Sequence, residues 1–276
     1  MTANPLTILR TYALKEPSAL PSSILFRSTE KFYTIFDAYP KSIFHFLVLP
    51  RLTRGMWFKE GEVVNLKALL TTDKEKAKEL LEGMKAEAVE VKKEIEQEMR
   101  EKYGFRWDVW MGFHAVPSMV HLHLHVLSAD LVSEKMKNKK HYNSFHPSRG
   151  FFLHIDDVLS WFEAEPSYFN RVGYSRHPSW LYSMARLDPK PREALLKHDL
   201  ECFECYASFR NMPLLKEHLQ EEWDKLEKKA PKRPPVSKRK AVEEARETLE
   251  VLELGDKGKE ASSSKRAKTD EIDETA

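Results

Sequence analysis

The sequence is nearly devoid of cysteine: only Cys202 and Cys205 occur in 276 residues, as one Cys-x-x-Cys pair. That excludes a disulfide-stapled scaffold and points to a reducing compartment. No uninterrupted apolar run reaches the about 18 residues that a membrane-spanning helix requires. Residues 1–20 carry polar side chains and prolines where a secretory leader needs an apolar centre. A soluble, intracellular protein is expected. An excess of one charge is also missing, with 45 Lys+Arg against 43 Asp+Glu, so net charge says little about partners. Hydrophobic residues are present at 41%, enough for a core, and the length fits one medium domain plus a small module.

Asn4 before Pro5 reads as a helix cap with proline at the first helical position, opening a helix over residues 5–14. Residues 24–26, 31–36 and 42–49 read as strands, the last closed by Pro50. Thr72 and Glu75 have capping-box spacing. They precede a long helical pattern carried by Ala77, Leu80, Leu81, Met84, Ala88, Val91, Ile95 and Met99 and ended by Gly104. Residues 105–113 and 120–127 alternate as strands do, and residues 151–162 read as an amphipathic helix. Residues 163–197 show no clear period. Residues 228–240 hold seven Lys or Arg, three Pro and no acid, an extended basic linker. A weak helix over 241–254 and a polar, disordered end over 256–276 are expected beyond it.

The most informative stretch is His114-Ala-Val-Pro-Ser-Met119-Val-His121-Leu-His123-Leu-His125-Val-Leu. On a strand, alternate residues share a face, so three imidazoles line one side about 7 Å apart while Leu122, Leu124 and Val126 pack on the other. Two chemistries suit three such imidazoles. One is a zinc site with three histidine ligands. The other is nucleophilic attack on phosphorus by a neutral imidazole whose far nitrogen is held by a hydrogen bond. A strand with ordinary surface histidines is the bland alternative.

The alternation of histidine and apolar residues from His121 to Leu127 resembles the signature of the histidine-triad superfamily, whose members are nucleotide hydrolases and transferases. Asp37-Ala38-Tyr39-Pro40, followed by His45-Phe-Leu-Val-Leu-Pro50, is similar to that family's nucleotide-binding half. The aprataxin branch is matched more closely. Residues 114–119 resemble its phosphate loop, and Lys137-Asn-Lys-Lys140-His-Tyr-Asn-Ser-Phe145 resembles its downstream motif. Cys202-x2-Cys205-x12-His218-x3-Glu222 resembles its C-terminal zinc finger in the form with Glu as fourth ligand. His218 and Glu222 stand one turn apart on a helix whose other side carries Leu214, Leu215 and Leu219; Glu221 is the neighbouring alternative for the last ligand.

The resemblance implies an α+β fold: an antiparallel histidine-triad sheet with flanking helices, plus a small zinc module. The implied layout is a catalytic part over 1–160, a connecting segment over 161–197, the finger over 198–227 and a basic tail over 228–276. It implies His123 as nucleophile, with His121 and His125 orienting it and touching phosphate, and His114 meeting the substrate or leaving phosphate. Asp37 would hold the ribose, Ile35 and Leu47 the base. Ser118 and the backbone near Met119 would donate to phosphate oxygens, and Lys41 and Lys140 would neutralise them. The implied substrate is DNA with a 5′-adenylate at a nick or break, RNA–DNA junctions included, with AMP as product. The implied cofactor is a structural Zn²⁺ on Cys202, Cys205, His218 and Glu222. The family wedges an N-terminal helix against the terminal base pair, for which Arg10 and Tyr12 are candidates. The basic stretches around residues 228–240 and 265–268 fit nuclear import.

The sequence departs from animal members in carrying no forkhead-associated domain ahead of the catalytic part. Residues 171–197 read as an insertion, and the loop over 51–64 is long. Two other functions compete: a general hydrolase of nucleoside phosphoramidates or dinucleoside polyphosphates, and a non-catalytic zinc-finger DNA-binding protein.

Overall fold

The computed structural model describes residues 4–52, 58–163 and 187–230. The expectations for residues 164–186 and for the basic tail beyond 230 lie outside them.

At the N-terminus the Asn4 side chain accepts from the Leu6 amide at 3.0 Å and caps a 3-10 turn, Pro5–Thr7, that runs into α1, Ile8–Ala13. Six strands then form one antiparallel sheet: β1 Leu25–Ser28, β2 Phe32–Phe36, β3 His45–Pro50, β4 Val109–His114, β5 Leu124–Ser128 and β6 Phe152–His154. Their order is β1-β2-β3-β5-β4-β6. The short α2 (Leu66–Leu69) leads to the long α3 (Lys74–Lys102), which ends before Gly104 at φ +85°. Between β5 and β6 lies α4 (Lys139–Phe145), and α5 (Ile155–Glu163) follows β6 directly.

The two faces of the sheet are covered differently. Alternation in the strands sends Phe46, Val48, Leu124, Val126 and Phe113 to one face, where α3 and α5 bury them in the main core. Glu87 of α3 is buried there and takes Arg27 Nε at 2.8 Å and the Thr34 hydroxyl at 3.1 Å, a charge neutralised where α3 crosses β1 and β2. The opposite face carries two smaller clusters. Leu9, Leu20, Tyr33, Ile35, Leu47 and Leu49 pack α1 against β2 and β3. Leu127, Tyr142, Phe145, Phe152, Cys202, Leu215 and Leu219 pack α4 and the C-terminal module against the other end. The histidines lie between these clusters.

The C-terminal module follows α6 (Pro189–Leu195). A two-stranded ribbon, β7 Leu200–Glu201 and β8 Ser208–Phe209, precedes α7 (Met212–Lys229), whose amide at Leu214 is capped by Asn211 at 3.1 Å. Trp223 of α7 sits in a nest with Tyr103, Phe105 and Trp107, ring centroids 5.4–5.6 Å away. The module is thereby seated on the segment leading into β4. The boundaries expected at 160 and 227 fall inside α5 and α7.

Four local expectations need correction. The cap of α3 is Asp73, whose carboxylate accepts from the Lys76 amide at 2.9 Å, while the Thr72 hydroxyl donates back to Leu69 O; the Thr72–Glu75 box does not form. Residues 105–108 are not strand, because Phe105 and Trp107 are spent on the Trp223 nest. Residues 152–154 are the edge strand β6 rather than the first turn of a helix. The strand expected over 120–127 begins only at Leu124. The amides of Val120, His121 and Leu122 donate instead to Leu6 O, Val64 O and Val63 O at 2.7, 2.9 and 2.7 Å, and His121 has φ +100°. A residue so turned cannot continue a β ladder.

Candidate functional site

His125 is the hub of the histidine cluster. It lies on β5 opposite Leu47, within a ring-centroid distance of 4.4 Å of His114, 5.1 Å of His123 and 5.2 Å of His45. Phe145 of α4 closes the floor, 4.6 Å from His114 and 5.2 Å from His125. His45 was not singled out as a site residue in the sequence. It arrives through the β3–β5 pairing, which no local pattern reveals; its signal in the sequence is its place at the head of the apolar strand that resembles the family's nucleotide-binding half.

The hydrogen bonds fix where each ring carries its proton. His123 Nδ1 faces His121 O at 2.8 Å, and a carbonyl only accepts, so Nδ1 is protonated and Nε2 keeps its lone pair. His121 Nε2 faces Pro50 O at 2.7 Å and is likewise the protonated nitrogen. The Lys41 amide donates to His45 Nδ1 at 3.1 Å, so His45 Nε2 carries the proton and donates to His125 Nδ1 at 3.0 Å. His125 is then left with Nε2–H, which has no protein partner among the described residues. His114 Nε2 is also unpaired among the described residues. Burial lowers the pKa of all five rings, those of His45 and His121 to about 4, so they are neutral at physiological pH.

Asp37 follows β2. Its Oδ1 accepts from the Tyr39 amide at 2.7 Å, an Asx turn, and its Oδ2 lies 3.5 Å from His45 Nε2. Lys41 Nζ bonds Tyr39 O, and burial lowers its pKa against the pull of Asp37. Buried Asp130 pins this loop by accepting from the Ile43 amide at 2.9 Å and Trp107 Nε1 at 3.1 Å. Ala38 and Tyr39 are exposed, and Pro40 is half-buried. Ile35 and Leu47 are buried, with Met119 packed against their cluster. Ser118 is exposed after β4, and Lys140 is exposed on α4. Arg10 is paired with Glu60 at 2.6 Å and Tyr12 packs on the α1 cluster, so neither wedge candidate stands free.

Ligand atoms of Asp37, His45 and His125 come within 4.8 Å of one another, as a metal site would require. The proton positions argue against one: a neutral His45 that accepts at Nδ1 has no lone pair at Nε2. The zinc reading of His121, His123 and His125 fares no better, since two of their six nitrogens are spent on backbone carbonyls and His121 is turned away. The second convergence is different in kind. Cys202 Sγ, Cys205 Sγ and His218 Nε2 meet, with Cys205 Sγ 3.2 Å from His218 Nε2. Buried Cys202 accepts from the Glu204 amide at 3.4 Å. Glu222 lies one turn on from His218, its Oε1 4.0 Å from Nε2 and 2.7 Å from Lys225 Nζ. Two soft sulfurs and an imidazole suit Zn²⁺.

Comparison with known proteins bears on both parts. Residues 12–141 match a family model described as scavenger mRNA decapping enzyme C-term binding, and residues 148–225 match one described as C2HE / C2H2 / C2HC zinc-binding finger. An aprataxin-like protein of Saccharomyces cerevisiae is 31% identical over 77% of this chain and 95% of its own length. The chain belongs to the aprataxin family. Membership places it among the histidine-triad nucleotide hydrolases. Aprataxins of Gallus gallus and Danio rerio are 34% and 33% identical over 71% and 67% of this chain, which spans 50% and 45% of their lengths. Two solved structures, one described as Hnt3 in complex with DNA and guanosine and one as an aprataxin ortholog Hnt3 in complex with DNA, superpose with TM-scores of 0.59 and 0.58 at 25% identity. They cover 83% and 82% of this chain, and 100% and 98% of theirs. The aprataxin-family fold is thus an antiparallel sheet with flanking helices and a C-terminal finger region, as the sequence implied.

Proposed function

We propose that this chain removes AMP from 5′-adenylated DNA ends at nicks and breaks, RNA–DNA junctions included, through a covalent AMP–His123 intermediate. The observation that carries the reading is His123 itself: buried, neutral and held at Nδ1 by the His121 carbonyl, so that Nε2 presents an unprotonated lone pair. DNA enters because the Hnt3 structures it resembles are complexes with DNA.

His123 Nε2 attacks the AMP phosphorus in line. The P–N bond forms as the bridging P–O bond breaks, and the electron pair leaves on the 5′-phosphate. A phosphate is a good leaving group, so positioning and charge stabilisation outweigh acid catalysis. His125 Nε2–H, fixed as a donor through His45, stabilises a phosphate oxygen. Lys41, Lys140, Ser118 and the backbone at Met119 neutralise or bind the remaining oxygens, and His114 meets the departing phosphate. Asp37 Oδ2 takes the ribose, with Ala38, Tyr39 and Pro40 shaping its turn and Ile35 and Leu47 beside the base. Water then hydrolyses the P–N bond and releases AMP. Cys202, Cys205 and His218 would hold a structural Zn²⁺, with Glu222, one turn on from His218, as the fourth ligand. Held by residues of the β7–β8 ribbon and of α7, such an ion would supply a structural link between them. The Lys- and Arg-rich tail fits a nuclear protein.

The test is AMP release from a nicked duplex bearing a 5′-adenylate, with wild type against His123→Ala. Fast release that falls at least about a thousandfold in the variant is expected. Turnover of an adenosine phosphoramidate but not of adenylated DNA moves the reading to the general hydrolase. Tight DNA binding with no release moves it to the non-catalytic one.

A further inference from the structure

Four consecutive residues of α4 face two sites at once. The Tyr142 hydroxyl donates to Glu201 O at 2.9 Å and accepts from the Phe203 amide at 3.2 Å, bridging the backbone on either side of Cys202. Asn143 Nδ2 donates to Leu196 O at 3.1 Å and His198 O at 2.8 Å, gripping the approach to β7. The next two residues close the helix towards the histidines: the Ser144 hydroxyl donates to His141 O at 2.8 Å, and Phe145 packs on His114, His125 and His45. All four side chains are buried, and a helix of seven residues has no internal hinge through which one end could move alone.

We propose that Tyr142 and Asn143 are positioning residues that couple the order of the Cys202–Cys205–His218 cluster to the alignment of His114 and His125. The finger then acts on the chemistry itself, besides any grip on DNA. Zinc on the two thiols and the imidazole fixes the Cys202 loop. The loop fixes Tyr142 and Asn143, and α4 passes that order to Ser144 and Phe145. The catalytic half of this claim rests on the function proposed above; the structural half does not.

The test uses the zinc-loaded full chain as wild type, Tyr142→Phe and Asn143→Ala. The first readout is the ¹⁵N resonances of the His114 ring, which report its proton position without any turnover. The second is steady-state hydrolysis of adenosine 5′-phosphoramidate, which carries no DNA. Both variants should shift the His114 ring from one protonated nitrogen towards a mixture. Both should lower kcat roughly three- to tenfold, as misplaced catalytic groups do, with KM little changed. Chelating zinc from the wild type should move the same resonances without any substitution. Unchanged His114 resonances on chelation and in the variants would overturn the coupling. So would an unchanged kcat on the small substrate with a raised KM for adenylated DNA, since the finger would then only hold the nucleic acid. If the wild type hydrolyses no adenylate, the functional reading fails, while the resonances still decide the coupling.

Discussion

Lowering the pH from 7.5 to 5.5 should destabilise this protein sharply, and the histidine cluster sets the amount. A histidine titrates near about 6.5 in an unfolded chain, whereas burial holds His45 and His121 at about 4 in the folded one. Between those values the unfolded state binds more protons, so stability is full above the unfolded pKa and falls as pH drops through the window. At pH 5.5 each such ring costs about 1.4 kcal/mol, and the two together about 3 kcal/mol, a large share of a typical folding free energy. His114, His123 and His125 shift in the same direction and add to the loss. The assay is the urea midpoint of the full chain at both pH values. Acid would also weaken any metal binding at the Cys202–Cys205–His218 cluster, so the discriminating comparison is His121→Asn, whose amide does not titrate and which tolerates a positive φ. Its acid-induced loss should be smaller than that of wild type by about 1.4 kcal/mol. An equal loss in both proteins would refute the assignment of a buried neutral ring at 121.

Three further outcomes are expected. Glu87→Ala should cost about 2 kcal/mol in a denaturant titration, because it strands Arg27 and the buried Thr34 hydroxyl, with Glu94 at 2.5 Å keeping Arg27 partly compensated. Gly112→Ala should lower the melting temperature through a loss of about 1–3 kcal/mol, since the added Cβ would sit 2.6 Å from Leu153 O and 2.7 Å from the Phe152 ring, wedging β4 from β6. Cys205→Ala should abolish stoichiometric zinc binding, read by metal analysis after dialysis, because it removes one of three convergent donors.

Much of the frame was legible before any coordinates. The run from Ala77 to Met99 announced α3 because nine of its positions face one core, and Asn4 announced its cap because it is followed by a proline. The convergence of the two cysteines and His218 was legible because their spacing matches that of finger ligands. What was hidden depended on distant partners. The ladder at His121 stops because its amide is claimed by Val64, fifty-seven positions earlier in the chain. His45 joins the cluster only once β3 pairs with β5. The alternation at Phe105 and Trp107 imitated a strand because aromatic residues serve a sheet and an aromatic nest against a distant helix equally well. Asp73 and Thr72 are both good caps, and adjacent candidates cannot be ranked without knowing which amides they meet.

The seating of Trp223 against Trp107 has an optical consequence. Two indoles with ring centroids 5.5 Å apart and planes crossed at 86° exchange excitation energy, and their shared environment includes Tyr103 and Phe105. One chromophore belongs to α7 and the other to the segment leading into β4, so the near-ultraviolet spectrum of the unlabelled protein is a gauge of whether the C-terminal helix is docked.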